Sequence, residues 1–310
     1  MQCCYKVKLA FCPMYHFELS NIILSNVDGY QHLMDLYEAI ITQNDKDVKL
    51  VFDHLGHIDA NLSAVLGALL DELLLRGYNI FLTRPKSPLV RHNLSRNNFF
   101  SAFSPDLTVV DTENFIEYRK FKSNESESFK SYIETQLMQK QKFPAHTEKA
   151  GRLIQESIME IFVNAVSHGE CTHVYSCGEY DESKTPPSLD MTIVDRGYTI
   201  PNRVNSFMVR DDWQELTPCQ AIRWALIDGN TTKSIPGGLG FTTILDFLKL
   251  NQGAMQIVSG KGMVEFRNNR LVDYRLSKSF DGTIVNMEFN FDDDKNYRLA
   301  GEYIDPTNLL

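Results

Sequence analysis

Between residues 48 and 83 the chain reads strand, helix, strand with little interruption. "VKLVFD" (48–53) is a β-branched run of the kind buried on both faces of a sheet, and "YNIFLT" (78–83) is a second. Between them, "NLSAVLGALLDELLLRG" (61–77) repeats Leu at helical spacing and stops at Gly77, a residue suited to ending a helix. "SPLVRHNLSRNNFF" (87–100) continues the alternation as a helix with Pro88 in its first turn. This βαβα order predicts an α/β layer architecture for the first part of the chain.

After residue 120 the pattern changes. "FKSNESES" (121–128) has the composition of a linker or helix lead-in. "FKSYIETQLMQKQ" (129–141) reads as a helix interrupted by Pro144, and a long helix is expected over 148–168. "THVYSCGEYD" and "LDMTIVD" read as strands joined by a polar hairpin with Pro186 and Pro187. "AMQIVSG", "GMVEFRN", "RLVDYRL" and "TIVNMEFNF" are four further strand candidates. A short helix, "PCQAIRWALIDG", and a glycine-rich turn into "FTTILDFLKL" lie between the two strand groups. The second half is therefore expected to be α+β, with helices on one face of a mixed, mainly antiparallel sheet. The domains expected are 1–120 and 121–310.

The chain has 310 residues, 43% of them hydrophobic, enough to form cores in one large or two medium domains. A net charge of −9 argues against a nonspecific nucleic-acid surface, which needs clustered Lys and Arg. A small anion held by backbone N–H groups stays compatible with that charge. Cys3, Cys4, Cys12, Cys171, Cys177 and Cys219 form no Cys-x-x-Cys pair, so free thiols in a reducing cytoplasm are expected. "MQCCYKVKLAFCPMY" lacks an apolar leader core, and "LSAVLGALLDELLL" is cut by Asp71 and Glu72 and too short to span a bilayer. A cytoplasmic protein without membrane contact is the expectation.

The helix at 148–168 carries the first polar constellation. At about 100° per residue, Glu156, Ser157, Glu160, Asn164, Ser167 and His168 share one arc, opposite Ile154, Ile158, Ile161, Phe162 and Ala165. Taken alone, the stripe fits an ordinary solvated face. Yet it lacks Lys and Arg, and Asn is a poor mid-helix residue because its side chain competes for backbone hydrogen bonds. Next, "DMTIVDRGYTIP" ends a buried-type strand at Asp195, beside the tight turn that Gly197 permits. A carboxylate there can accept from an exocyclic amine, or simply form the turn. In "TTKSIPGGLGFTTILDFLKL", Gly237, Gly238 and Gly240 open onto a helix, presenting N–H groups beside the positive end of its dipole. That loop fits neither a Walker nor a Rossmann pattern, and a flexible hinge fits it equally well. Finally, Thr283 starts a strand in "DGTIVNMEF".

The linear series Glu-x-x-x-Asn, Asp-x-Gly, Gly-Gly-Leu-Gly and Gly-Thr resembles the nucleotide-binding boxes of the histidine-kinase-like ATPase superfamily (the GHKL or Bergerat fold), over roughly 126–291. The resemblance implies ATP and Mg²⁺ as ligands. It implies Asn164 as the Mg²⁺ ligand, Glu160 as general base, Asp195 and Gly197 at the adenine amino group, and Thr283 in support of that contact. Gly237, Gly238, Leu239 and Gly240 would form the phosphate loop, with Lys233 as a further phosphate contact and 202–236 as a lid. One departure is plain: the family's Asp-x-Gly-x-Gly stands here as Asp195-Arg196-Gly197-Tyr198-Thr199. No four-helix module with a phosphoacceptor histidine precedes the domain, and little chain follows Thr283, so neither a sensor histidine kinase nor a gyrase-type transducer is expected.

The first half resembles a STAS domain, the fold of anti-anti-sigma factors. Where that family has an Asp-Ser-Ser-Gly turn, this chain has Asp59-Ala60-Asn61-Leu62, so the phosphorylatable serine is replaced by Ala60. Ser63 nearby suits a helix start. Together the two resemblances imply a Mg·ATP-binding regulatory protein of the anti-sigma-factor serine kinase kind, hydrolysing ATP or phosphorylating a protein hydroxyl. The alternative is a nucleotide-gated interaction switch in which catalysis is incidental. Adenine nucleotide and a protein are the expected partners, with homodimerisation left open.

Overall fold

β1 (Tyr15–Ile23), α1 (Val27–Ile41), β2 (Asp47–Ile58), α2 (Ser63–Leu75) and β3 (Asn79–Leu82) follow in chain order. Their strands form one sheet in the order β1-β2-β3, with both pairings parallel, as crossover helices require. The computed structural model describes residues 14–103, 115–140, 143–210, 212–232, 240–291, 295–300 and 302. β2 departs from the expectation of burial on both faces. Val48, Leu50 and Phe52 are buried, while Lys49, Val51 and Asp53 between them are half-exposed. The buried set packs in one cluster with residues of both α1 and α2, so the helices cover one face of this sheet. α3 (Pro88–Arg96), capped by Ser87, and α4 (Phe99–Phe103) complete the half.

The second half contains β4 (Phe115–Lys122), α5 (Ser126–Ile133), α6 (Glu148–Ser167), β5 (His173–Asp181) and β6 (Ser188–Asp195). α7 (Ile200–Arg210), α8 (Pro218–Ala225), α9 (Gly240–Asn251), β7 (Ala254–Arg267) and β8 (Arg270–Asn290) follow. The five strands run in the order β4-β5-β6-β8-β7, and every pairing is antiparallel rather than mixed. The expected boundary at 120 falls within β4, which belongs to this sheet from Phe115 onward. The four late strand candidates merge into two long strands. Asn268 and Asn269, both in the left-handed region, make the two-residue turn of a hairpin. Gly260 and Gly282, also at positive φ, sit at or beside register shifts that bend the strands without ending them.

The sheet carries helices on both faces, which corrects the expectation of one. On β6, Leu189, Met191 and Ile193 join a cluster with Ile154, Ile158 and Phe162 of α6 and Leu248 of α9. Val194 points the other way, with Tyr175, Val258 and Ile284, into the cluster that holds α1 and α2. Strand alternation thus feeds two cores from one sheet. α2 is the wedge between the sheets. Its first eight residues, Ser63 to Leu70, are all buried around the whole circumference, the pattern of a helix with no solvated side there. A Cβ on Gly67 would stand 2.3 Å from the Tyr118 hydroxyl, so the glycine lets α2 approach β4.

The 3₁₀ turn Ala60–Leu62 ahead of α2 is sealed against the second sheet. Asn61 Nδ2 donates to Thr192 Oγ1 at 2.9 Å and to Asn286 Oδ1 at 3.0 Å, and the Ala60 N–H donates to Glu179 Oε1 at 2.9 Å. No helix among the described residues is long and apolar enough to cross a membrane.

Candidate functional site

α6 begins at Thr147, whose hydroxyl accepts from the Ala150 N–H at 3.2 Å, and its apolar arc is buried against the second sheet. Its polar arc is not uniform. Ser157 is buried and donates to the Leu153 carbonyl at 2.7 Å, while Glu156 is exposed. Glu160 and Asn164, one turn apart and half-buried, line a cavity of about 340 Å³. The same cavity is lined by Asp195 from the end of β6 and Thr283 from β8. Asp195 and Thr283 are register partners in the sheet, so strand pairing alone brings them together across 88 positions of sequence (283 − 195). The remaining walls are largely apolar and include Ile161, Ile193, Ile200, Phe241 and Val285.

Asp195 is 4% exposed, and its Oδ1 is buried with no hydrogen-bond partner among the described residues. Burial pushes its carboxyl up to about 8, against the opposing pull of the Gly197 N–H, the Arg196 charge and the Thr283 N–H. Glycines crowd this carboxylate. A Cβ on Gly197 would lie 2.2 Å from the Gly169 carbonyl oxygen, and one on Gly169 would lie 2.4 Å from that of Ala165 and 3.1 Å from Asp195 Oδ1. The Tyr198 N–H donates to the Gly169 carbonyl at 2.7 Å, tying the turn after β6 to the end of α6. Thr199, where a second glycine was expected, is buried and caps α7 by accepting from the Asn202 N–H at 3.1 Å. That cap accounts for the departure.

Residues 202–232 of the expected lid hold α7, α8 and a small core of Val204, Met208 and Ala221. Asn205 ties the connecting loop by donating to the Leu216 carbonyl and accepting from its N–H, at 2.9 and 2.8 Å. Lys233, Gly237, Gly238 and Leu239 lie outside the described residues, and Gly240 opens α9. Sequence reasoning missed several residues that shape the cavity: Gly169, Tyr198, Arg203, Trp224 and Thr232. His168, read as a helix end, caps α6 and also lines the cavity, where its Nδ1 is 3.0 Å from Thr232 Oγ1. Arg203 donates through Nε to the His168 carbonyl at 2.5 Å, pairs with Glu170 and stacks over Tyr198 at 4.3 Å. A glycine following a polar helix end was a readable signal for Gly169. Nothing local marks Arg203 or Trp224.

Among the described residues no group of three His, Cys, Asp or Glu side chains could hold a metal ion. The Asn164 amide is a hard oxygen donor at the cavity wall, so a divalent ion fits only if a ligand's own oxygens complete its shell. No protein-family model matches the chain, and no curated protein matches it.

Proposed function

We propose that the chain binds Mg·ATP in this cavity and acts as a regulatory ATPase or protein serine/threonine kinase of the histidine-kinase-like type. The observation that carries the reading is Asp195, a buried carboxylate on the wall of a largely apolar cavity, with one oxygen that has no partner among the described residues. An unmet acceptor there asks for a donor on a flat, apolar ligand, and an adenine amino group supplies both. The cavity volume falls within the usual range for small-molecule sites, roughly 300–1,000 Å³.

In this reading Asp195 orients the base and Thr283 supports it. The Asn164 oxygen holds a magnesium ion, which would neutralise charge on the phosphates when bound. Glu160, one helical turn before Asn164, is the base for a water or a substrate hydroxyl. Lys233, Gly237, Gly238, Leu239 and Gly240 are assigned to the phosphates by the resemblance alone. The first half is read as STAS-like on the same ground.

One observation favours the second reading, a nucleotide-gated interaction switch. Ala60 and Ser63 are both fully buried, and Ser63 Oγ accepts from Asn97 Nδ2 at 2.8 Å, so that turn offers no accessible hydroxyl to phosphorylate in this chain. A phosphoacceptor, if used, lies outside this turn.

Titration calorimetry with a hydrolysis assay on the same preparation separates the readings. Asn164→Ala is expected to abolish Mg·ATP binding, and Glu160→Ala to keep binding and lose turnover. An Asn164→Ala protein that binds Mg·ATP at full affinity sinks the assignment. Nucleotide-dependent partner binding that persists in Glu160→Gln selects the switch.

A further inference from the structure

The turn that presents Asp195 to the cavity has a second side. Arg196, the next residue, runs into the N-terminal half, where its side chain is 9% exposed. The guanidinium lies 4.9 Å from the Tyr37 ring centre and 4.8 Å from that of Phe280. Its Nε donates to Glu72 Oε2 at 2.5 Å, and its Nη2 pairs with the same oxygen. Glu72 belongs to α2. Its other oxygen accepts from the Tyr37 hydroxyl at 2.5 Å and from Arg76 Nη2 at 2.6 Å. Burial works against charge on Glu72, but Arg196, Tyr37 and Arg76 together hold its carboxyl below the usual value.

The space behind the turn is not filled. A second cavity of about 300 Å³ lies there, lined by Glu72, Arg76, His173, Arg196, Gly197 and Asp281. On this side the turn backbone is held by β8, where a Cβ on Gly282 would stand 2.1 Å from the Asp195 carbonyl oxygen, while the Arg196 side chain is held toward α2 by the directed ion pair with Glu72. The contact of Gly197 and Tyr198 with Gly169 fixes the opposite side.

We propose that Glu72 is a positioning residue for base recognition: through Arg196, helix α2 of the N-terminal half sets where the Asp195 carboxylate stands in the nucleotide cavity. The inference rests on the nucleotide reading and deepens it. It makes the N-terminal half part of the recognition apparatus, so a displacement of α2 relative to the second sheet changes which base the cavity accepts.

The test uses the full chain with ATP and inosine triphosphate, which lacks the exocyclic amine. Wild type is expected to prefer ATP. Glu72→Gln keeps the side-chain shape and removes the charge; it should weaken ATP roughly tenfold, leave inosine triphosphate nearly unchanged and collapse the preference. Arg196→Met leaves Glu72 its Tyr37 and Arg76 partners, and it carries the test should the Glu72 variant fail to fold. It should give the same phenotype, and the double variant should be no worse than either single one. An equal loss for both nucleotides, or an unchanged preference, overturns the proposal while leaving the nucleotide reading intact. A wild-type protein that binds neither nucleotide overturns the reading beneath it.

Discussion

At Asp195 two requirements oppose each other. The folded chain resists charge there, since burial pushes the carboxyl up to about 8, while an amine donor on a ligand favours the ionised form. Nucleotide binding should therefore release a proton below that pH, and affinity should rise as pH approaches about 8. Calorimetry in buffers of different ionisation enthalpy measures the release; identical heats would contradict it. For stability the sign runs the other way. A carboxyl raised by folding contributes fully below its unfolded value, and that contribution is lost as pH climbs toward the folded one. Without nucleotide, Asp195→Asn should lose less thermal stability than wild type as pH rises from roughly 4 to about 8, and it should bind ATP more weakly.

The elements around that residue meet through backbone rather than through side chains. The end of α6 and the turn after β6 touch at Gly169 and Gly197, with no room for a methyl group at either. Gly197→Ala must push the two segments apart, at a cost of about 1–3 kcal/mol. Because the displaced segment carries Asp195, ATP affinity should fall more than tenfold, on the order of the loss of one charged hydrogen bond. Chemical denaturation and nucleotide titration on one preparation check both numbers. An alanine variant with wild-type affinity would show that the contact does not set the cavity.

Across the whole molecule, one of the two main cores is shared between the halves. Leu66 and Leu70 of α2 belong to the cluster that contains Tyr118, Tyr175, Val258 and Phe280 of the second sheet. Thermal unfolding should accordingly be a single transition, and two resolved transitions would refute this. Asn61 is fully buried at the junction and donates to Thr192 and Asn286. Asn61→Ala should destabilise the entire chain by about 2–3 kcal/mol without splitting that transition, because it strands buried polar partners on the second sheet.

Much of this organisation was legible in residue order. The helical spacing of α2, the polar arc of α6 and the strand-type runs of β5 and β6 identify those elements. Glu160, Asn164, Asp195 and Thr283, singled out by the resemblance that their motif order carries, all line one cavity. Periodicity reports which residues leave water and with what geometry, because both are consequences of backbone dihedrals a few residues long. It does not report what covers them. That both sides of α2 are occupied, that the second sheet has helices on each face, and that Gly169 closes on Gly197 were decided only by the packing of distant segments. Arg196 and Glu72 stand 124 positions apart. No local property of either residue names the other; sheet register and the wedge of α2 bring them together.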